Sequence, residues 1–501
     1  MEQYLLDFDL KVMAPELVIV SAAALLSVMD LFLKETASRK VIAVLSLAAV
    51  LAAGVFAVMG FGHPPYQILG DTYRIDSFSL TFKVIILAGT ALVLLLSLHL
   101  NKEEIETREG EYYYLLLTAV LGGMVMVSSA DLITLFVGLE LLSLSSYVLV
   151  GIRRKDLKSN EAAWKYVVLG GVSSAFILYG MSFVYGLTGS TNLFVIRDRL
   201  MQALYSGYDL FVYLALFLMV VGFGFKIATA PFQMWTPDVY QGAMTPVTAF
   251  LAVVSKTAAF ALVMRIMLIA FLPVFSPQIS VGVEKLLMIL AALSMIAGNA
   301  VALKQTNAKR LMAYSSIAQA GYILVPLSTL GFVLFPSLAY YLLAYLFMTL
   351  GAFAVLDVVT REGKNEELHV FAGLHQRSPW LAFAMSVFLI SLAGLPVTAG
   401  FFGKFYLIIN AIGREQHWLA GVMILTTVVS YYYYFGIIRQ MYFRSPASLR
   451  PIPVPWTAGL VIVVGVIGTI GLGLLPDTVL QSLGKIDWGS GFDLAKNAVR
   501  Q

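Results

Sequence analysis

The chain reads as a succession of long apolar stretches cut by short polar ones. Fourteen windows stay apolar for about twenty residues, the length an α-helix needs to cross a hydrocarbon core of about 30 Å. They run roughly over 15–33, 40–60, 78–99, 112–129, 131–151, 163–187, 210–230, 244–270, 285–302, 310–330, 336–359, 380–409, 417–438 and 455–475. No polar interval is long enough for an independent soluble domain. The pattern predicts an all-α polytopic membrane protein. Gly222-Phe-Gly-Phe lies inside a window and is no nucleotide fingerprint, since no strand precedes it and no third glycine follows at the right spacing.

Composition agrees. Of 501 residues, 59% are hydrophobic and only 12% charged, against about 25% charged in ordinary soluble domains. There is no cysteine, which excludes disulfides, thiolate iron–sulfur ligation and cysteine zinc sites. The five histidines, His63, His99, His369, His375 and His417, fall in loops or at helix edges, which argues against an intramembrane haem. No cofactor is expected in this chain, and a net charge of +4 gives no reason to expect nucleic acid. Met1 to Leu10 hold three acids and no base, so no cleavable signal is expected there. Nineteen basic residues fall in the loops after odd-numbered windows and nine on the opposite side. By the positive-inside rule, both termini are expected on the outer face.

The remaining basic residues, Lys83, Lys226, Lys256, Arg265 and Lys404, sit inside windows. A charged group at mid-membrane costs about 2.5–3.5 kcal/mol even on lenient scales. Lys83 is near the start of its window and Arg265 near the end of its own, so both are expected to snorkel to an interface. Lys226, Lys256 and Lys404 are deeper, and a functional charge is the better account of them. Glu140 is the mid-span acid, with Ser143 and Tyr147 on its helical face. It is read either as half of a structural ion pair or as a titrating group. Glu16, Asp30, Asp131 and Asp357 lie near window ends and are expected to be boundary residues.

Proline marks two of the deep lysines. Pro231 follows Lys226 by five residues, and Pro396 precedes Lys404 by eight, in a segment loosened by Gly394, Gly400 and Gly403. A proline inside a span removes a backbone hydrogen bond and clashes with the preceding turn. Broken helices are tolerated at membrane depth only where buried or lining a wet cavity. Leu142-Ser-Leu-Ser-Ser-Tyr147 is echoed weakly by Ala313-Tyr-Ser-Ser-Ile317, each two spans before a proline-broken one. Spans 4–8 and 9–13 are therefore read as two copies of one unit. Tyr431 to Tyr434 are expected to form a packing or interfacial belt. Glu103, Glu104, Glu106, Glu109 and Glu111 are read as an acidic loop open to a partner, and the tail after Pro476 is too short for a long lateral helix.

Several motifs together are specific. They are Glu140-Leu-Leu-Ser-Leu-Ser-Ser-Tyr147, Glu161-Ala-Ala-Trp-Lys165-Tyr, Ser173-Ser174 through Tyr179-Gly180, the run from Lys226 through Pro231 to Phe250, Ser255-Lys256, Gln305-Thr-Asn-Ala-Lys-Arg310, Ala313-Tyr-Ser-Ser-Ile317 and Gly403-Lys404-Phe-Tyr. Over nearly its whole length the chain resembles the antiporter-like membrane subunits of respiratory complex I, the proton-pumping NADH:quinone oxidoreductase, and among them the N type. Lysine at 404 resembles the N type more than the M type, and the short tail argues against the L type. The resemblance implies about fourteen transmembrane helices with two inverted five-helix repeats, each containing a broken helix. Residues 1–110 would hold the first three helices, 111–270 and 284–445 the repeats, and 446–501 the last helix and tail.

It also implies a proton relay of Glu140 paired with Lys226, then Lys256, then Lys404 as outlet, with Ser143, Lys165, Pro231, Pro396 and Gln319 in support. Gln319 stands where the resemblance leads one to expect histidine; glutamine does not titrate, so a bound water would have to bridge there. Redox chemistry elsewhere would change the Glu140–Lys226 separation and drive a proton along the line. The implied partners are the M-type subunit, the small K, J and A subunits and the lipid bilayer, in a bacterial plasma membrane. The assembled complex would use flavin, iron–sulfur clusters and quinone. The alternative is a subunit of an Mrp-type sodium/proton antiporter, which shares the charged axis.

Overall fold

The computed structural model describes residues 12–33, 38–100, 109–272, 274, 277–330, 334–363, 365–446, 448–486 and 488, without the side chains of 277–281. Met1 to Leu10, Glu103, Glu104, Glu106 and the end of the tail lie outside the described residues. The apolar windows become helices. They are α1 (Ala14–Phe32), α2 (Lys40–Met59), α3 (Ser77–Ser97), α4 (Glu109–Ser128), α5 (Leu132–Val150), α6 (Leu157–Thr188), a short α7 (Leu193–Tyr205) and α8 (Asp209–Lys226). After them come α9 (Thr236–Gly242), α10 (Thr245–Phe271), α11 (Pro277–Ala302), α12 (Ala308–Thr329) and α13 (Leu334–Gly363). The last are α14 (Pro379–Ala393), α15 (Ala399–Gly413), α16 (His417–Phe443), α17 (Trp456–Leu474) and α18 (Pro476–Gly484). Between α2 and α3, β1 (Tyr66–Ile68) and β2 (Tyr73–Ile75) pair antiparallel, Gln67 opposite Arg74.

Among the described residues, twelve helices are long and apolar enough to cross a membrane: α1 to α6, α8, α10, α11, α13, α16 and α17. The window at 310–330 is α12, long enough at 22 residues but carrying Lys309, Arg310, three serines and Gln319. The window at 380–409 is the pair α14 and α15, each of 15 residues and so about 22 Å long, too short to span alone. Helix starts follow the polar residues between windows. Asp76 accepts from the Ser79 amide at 2.7 Å and closes a capping box. Asp131, Asp156, Asn192 and Asn307 cap α5, α6, α7 and α12 in the same sense. Asp131 is thus the boundary residue expected.

Helices α10, α13 and α3 are buried almost all round and form the interior of the bundle, whereas α1, α2, α6 and α16 expose much of their surface. Helix α10 carries two π turns, Leu251–Ser255 just before Lys256 and Met267–Phe271 just after Ile266. Both proline breaks are present. Helix α8 stops at Lys226 and Pro231 lies before α9; α14 stops at Ala393 and Pro396 lies before α15.

Two expectations are overturned here. Lys83 and Arg265 do not snorkel, since both are 0% exposed. Lys83 meets Glu16 at 2.8 Å and donates to the Tyr73 hydroxyl at 3.1 Å, and Arg265 meets Asp76 at 2.9 Å. A buried acid within reach holds each cation where it is, and no path to an interface is needed. Glu16 in the first turn of α1 and Asp357 six residues from the end of α13 lie near helix ends, as expected, but neither faces solvent. Both are buried, the second between His99 at 3.0 Å and Arg361 at 3.2 Å.

Candidate functional site

The first broken helix presents Lys226 as its last residue. Its ammonium donates to Ser143 Oγ at 2.7 Å and to the Tyr147 hydroxyl at 3.4 Å, two groups one turn apart on α5. That is the face of Glu140 expected from spacing. Glu140 itself is not in contact with Lys226. Its carboxylate accepts from Ser174 Oγ of α6 at 2.5 Å, and no ion pair within 4.0 Å joins it to Lys226. The implied pair is therefore opened by hydroxyls, one holding each charge. Beyond the break, Trp235 donates to the Phe225 carbonyl at 2.9 Å and stacks on Tyr166 at 4.6 Å, walling Lys226 with aromatic rings. A void of about 10 Å³ touches Ser143, Tyr166, Lys226 and Ser255. It has room for roughly one water between Lys226 and the residue preceding Lys256.

Lys256 is 3% exposed. It donates to the Ser316 carbonyl of α12 at 2.7 Å and makes a short hydrogen bond to the same residue's hydroxyl. Tyr345 of α13 and Tyr240 of α9 reach that hydroxyl at 3.1 and 3.2 Å. Ser315, the residue before Ser316 on α12, bonds the Tyr434 hydroxyl of α16 at 2.5 Å.

Lys404 is also 3% exposed. It donates to the Leu392 and Ala393 carbonyls at 2.9 and 3.2 Å. These are the last residues of α14, whose final carbonyls have no helical partner and carry the negative end of the helix dipole. Breaking the helix at Gly394 and Pro396 thus makes the acceptor for the ammonium. Gly394 has φ of 83°, and a Cβ there would press on Lys404 Cδ at 3.0 Å, so glycine is required twice over. The Tyr322 ring lies 4.7 Å from the Lys404 ammonium, a favourable cation–π placement.

The supporting residues divide. Ser143 holds Lys226, while Pro231 and Pro396 sit in the breaks. Gln319 lies between the second and third lysines. Its amide accepts from the Tyr341 hydroxyl and donates to the Leu392 carbonyl at 3.3 Å, with Tyr434 at 3.5 Å. Lys165 stands apart, joined to Glu161 and Asp238 at 2.6 Å each, while Arg310 meets Asp238 at 2.6 Å. This partly exposed network ties α6, α9 and α12 together. Of the two readings of the tyrosine belt, packing describes Tyr433 and Tyr434: both are buried, their rings lie 4.4 Å apart, and Tyr433 donates to Asn299 at 2.8 Å. Sequence reading assigned no site role to Tyr240, Tyr341, Tyr345 or Ser174, because single hydroxyls in apolar spans are ordinarily packing residues.

Three lysines on two broken helices and one π-bulged helix are thus each held by hydroxyls or carbonyls, and the Gln319 amide shares one of the carbonyls that hold Lys404. The family model described as "NADH:quinone oxidoreductase/Mrp antiporter, TM" matches residues 129–430. The chain belongs to that family. Within the NADH:quinone oxidoreductase/Mrp antiporter family, its relatives include the NADH-quinone oxidoreductase subunit N of Brevibacillus brevis, 50% identical, with 97% of each chain covered. The subunit N of Anoxybacillus flavithermus is 45% identical over 97% of this chain and 99% of its own. Among solved structures, a chain of respiratory complex I from Thermus thermophilus with bound aureothin superposes with TM-score 0.78 at 33% identity, over 94% and 99% of the two chains. A chain of the Mrp complex from Dietzia shares the fold, with TM-score 0.81 at 19% identity over 98% of this chain and 100% of its own.

Proposed function

We propose that the chain is the N-type proton-translocating membrane subunit of NADH:quinone oxidoreductase, and that Glu140, Lys226, Lys256 and Lys404 are its relay. One observation carries the assignment of residues. The buried cations Lys83, Arg265 and Lys309 each have a carboxylate at 2.8–2.9 Å. Among the described residues, Lys226, Lys256 and Lys404 meet hydroxyls and carbonyls and no carboxylate within 4.0 Å. A carboxylate at that distance fixes the charge on its partner. A serine or tyrosine hydroxyl accepts from an ammonium and, after rotation, donates to a neutral amine, so it serves both states.

Quinone reduction elsewhere in the assembly would shift the Glu140 carboxylate relative to Lys226. Withdrawing the counter-charge expels a proton toward Lys256 and Lys404, and its approach reloads Lys226. Moving one charge against 100 mV takes about 2.3 kcal/mol, within the strength of one or two charge-assisted hydrogen bonds of about 1.5–3 kcal/mol each. This chain works without a redox centre of its own. Flavin, iron–sulfur clusters and quinone belong to the rest of the assembly, and the M-type and small K, J and A subunits are its neighbours in a bacterial plasma membrane, with both termini outside. Residues 111–270 and 284–445 act as the two inverted repeats. The N-type relatives support this reading over the Mrp-type antiporter, whose likeness at 19% identity is one of fold.

The test is Lys226→Ala in assembled complex, with pumping followed in inverted membrane vesicles by dye quenching while quinone reduction is recorded. Suppressed pumping with the subunit still present is expected; full pumping refutes the assignment.

A further inference from the structure

The Leu392 carbonyl at the end of α14 accepts two donors, Lys404 Nζ at 2.9 Å and Gln319 Nε2 at 3.3 Å. Two lone pairs are thereby filled. Gln319 is 1% exposed, and its orientation is fixed by chemistry at both ends. The Leu392 oxygen can only accept, so the amide nitrogen faces it, and the amide oxygen takes the Tyr341 hydroxyl. Tyr434, bound to Ser315 at 2.5 Å, flanks the amide at 3.5 Å.

We propose that Gln319, held in place by Tyr341, is a positioning residue that sets how firmly Lys404 keeps its proton, because both donors draw on the electron density of one carbonyl oxygen. This rests on Lys404 being a member of the relay. An amide neither gains nor loses a proton near neutrality, so this link passes polarity, not charge. The Tyr341 hydroxyl on the amide oxygen makes the amide N–H a stronger donor, as in any hydrogen-bonded chain within a low dielectric. The more the Leu392 oxygen serves Gln319, the less it stabilises the ammonium. The share held by Gln319 therefore favours release from Lys404.

The other groups facing Lys404 do not substitute for this contact. From α12 comes Tyr322, whose ring lies 4.7 Å away. Tyr341 comes from α13 and lies against Gly403, and Tyr434 of α16 is reached through Gln319. Helices α14 and α17 carry no titratable residue. No carboxylate meets Lys404 within 4.0 Å among the described residues.

The experiment uses the intact complex in inverted vesicles, with Gln319→Leu, Tyr341→Phe and Lys404→Ala made separately. Pumping is measured across pH at saturating donor and quinone. Gln319→Leu frees the Leu392 oxygen for the ammonium. The alkaline limb of the pumping profile should move about half to one pH unit upward, with pumping near neutrality slowed roughly 3- to 10-fold as release becomes harder. Tyr341→Phe should move the limb the same way by less. A merely structural role would lower the amplitude and leave the limb in place; that result, or a move to lower pH, overturns the proposal. If Lys404→Ala pumps as the parent does, the relay assignment fails first and this inference falls with it. If Lys404→Ala is inactive and the limbs stay put, only this inference falls.

Discussion

Replacing Lys83 by methionine keeps the length of the side chain and removes the charge. Glu16 is then left 2% exposed without the ammonium it meets at 2.8 Å, and Tyr73 loses a donor at 3.1 Å. Breaking one side of a buried pair costs about 3–5 kcal/mol, or roughly two to more than three powers of ten in a folding equilibrium at 1.4 kcal/mol for each. Had Lys83 snorkelled, the loss of an exposed pair would have cost about 0–1 kcal/mol. The assay is thermal dissociation of the detergent-solubilised complex, read as loss of this subunit on native gels. Glu16→Leu is measured alone and with Lys83→Met. Each single variant should destabilise the subunit strongly. The double variant should recover most of the loss, because apolar residues of similar volume often replace a buried pair at no net cost. Single variants no weaker than the double would refute the reasoning.

Ser174→Ala removes the 2.5 Å donor from Glu140. Since a hydrogen bond to a charged group contributes about 1.5–3 kcal/mol, pumping should fall by about tenfold or more in a fully assembled complex; an unchanged rate in the vesicle assay would remove Ser174 from the site. Asp238→Asn weakens the bridges to Lys165 and Arg310, where Asp238 is 31% exposed. Each such bridge contributes only about 0–1 kcal/mol, so thermal dissociation should move less than for Lys83→Met, and the difference should shrink in high salt.

The bundle was legible because apolar length is a one-dimensional signal, and the two breaks because proline and glycine act on their own backbone. The deep lysines stood out for the same reason: a charge within an apolar run is visible without a fold. Partners were not. Nothing along the chain says that Glu16 packs on Lys83 of α3, or that Asp76 packs on Arg265 of α10, because these contacts join helices far apart in sequence. The acids, not the distance to a window's end, hold Lys83 and Arg265 at depth. The tyrosines were missed for the opposite reason. Tyr341, Tyr345 and Tyr434 read as ordinary apolar-span residues until α12 brings Gln319, Ser315 and Ser316 against their hydroxyls.

The contrast between the two kinds of buried cation says what the membrane site requires. A lysine that serves structure is most stable with an acid fixed beside it, as at Lys83 and Lys309. A lysine that must lose and regain a proton cannot be held that way, because the acid would bind the charge more tightly than a membrane potential could move it. It still cannot be left bare, since an unsatisfied buried ammonium would not persist. Neutral oxygens resolve the conflict. Ser143 and Ser316 can turn to meet either state, and the carbonyl end of α14 supplies partial negative charge without a titrating group. Only Glu140 carries a full opposing charge, and it is tied to Ser174 on α6, away from contact with Lys226. A counter-charge that approaches and withdraws is the one element that such a line of lysines needs in order to be driven, and in the proposed relay this carboxylate would be that element.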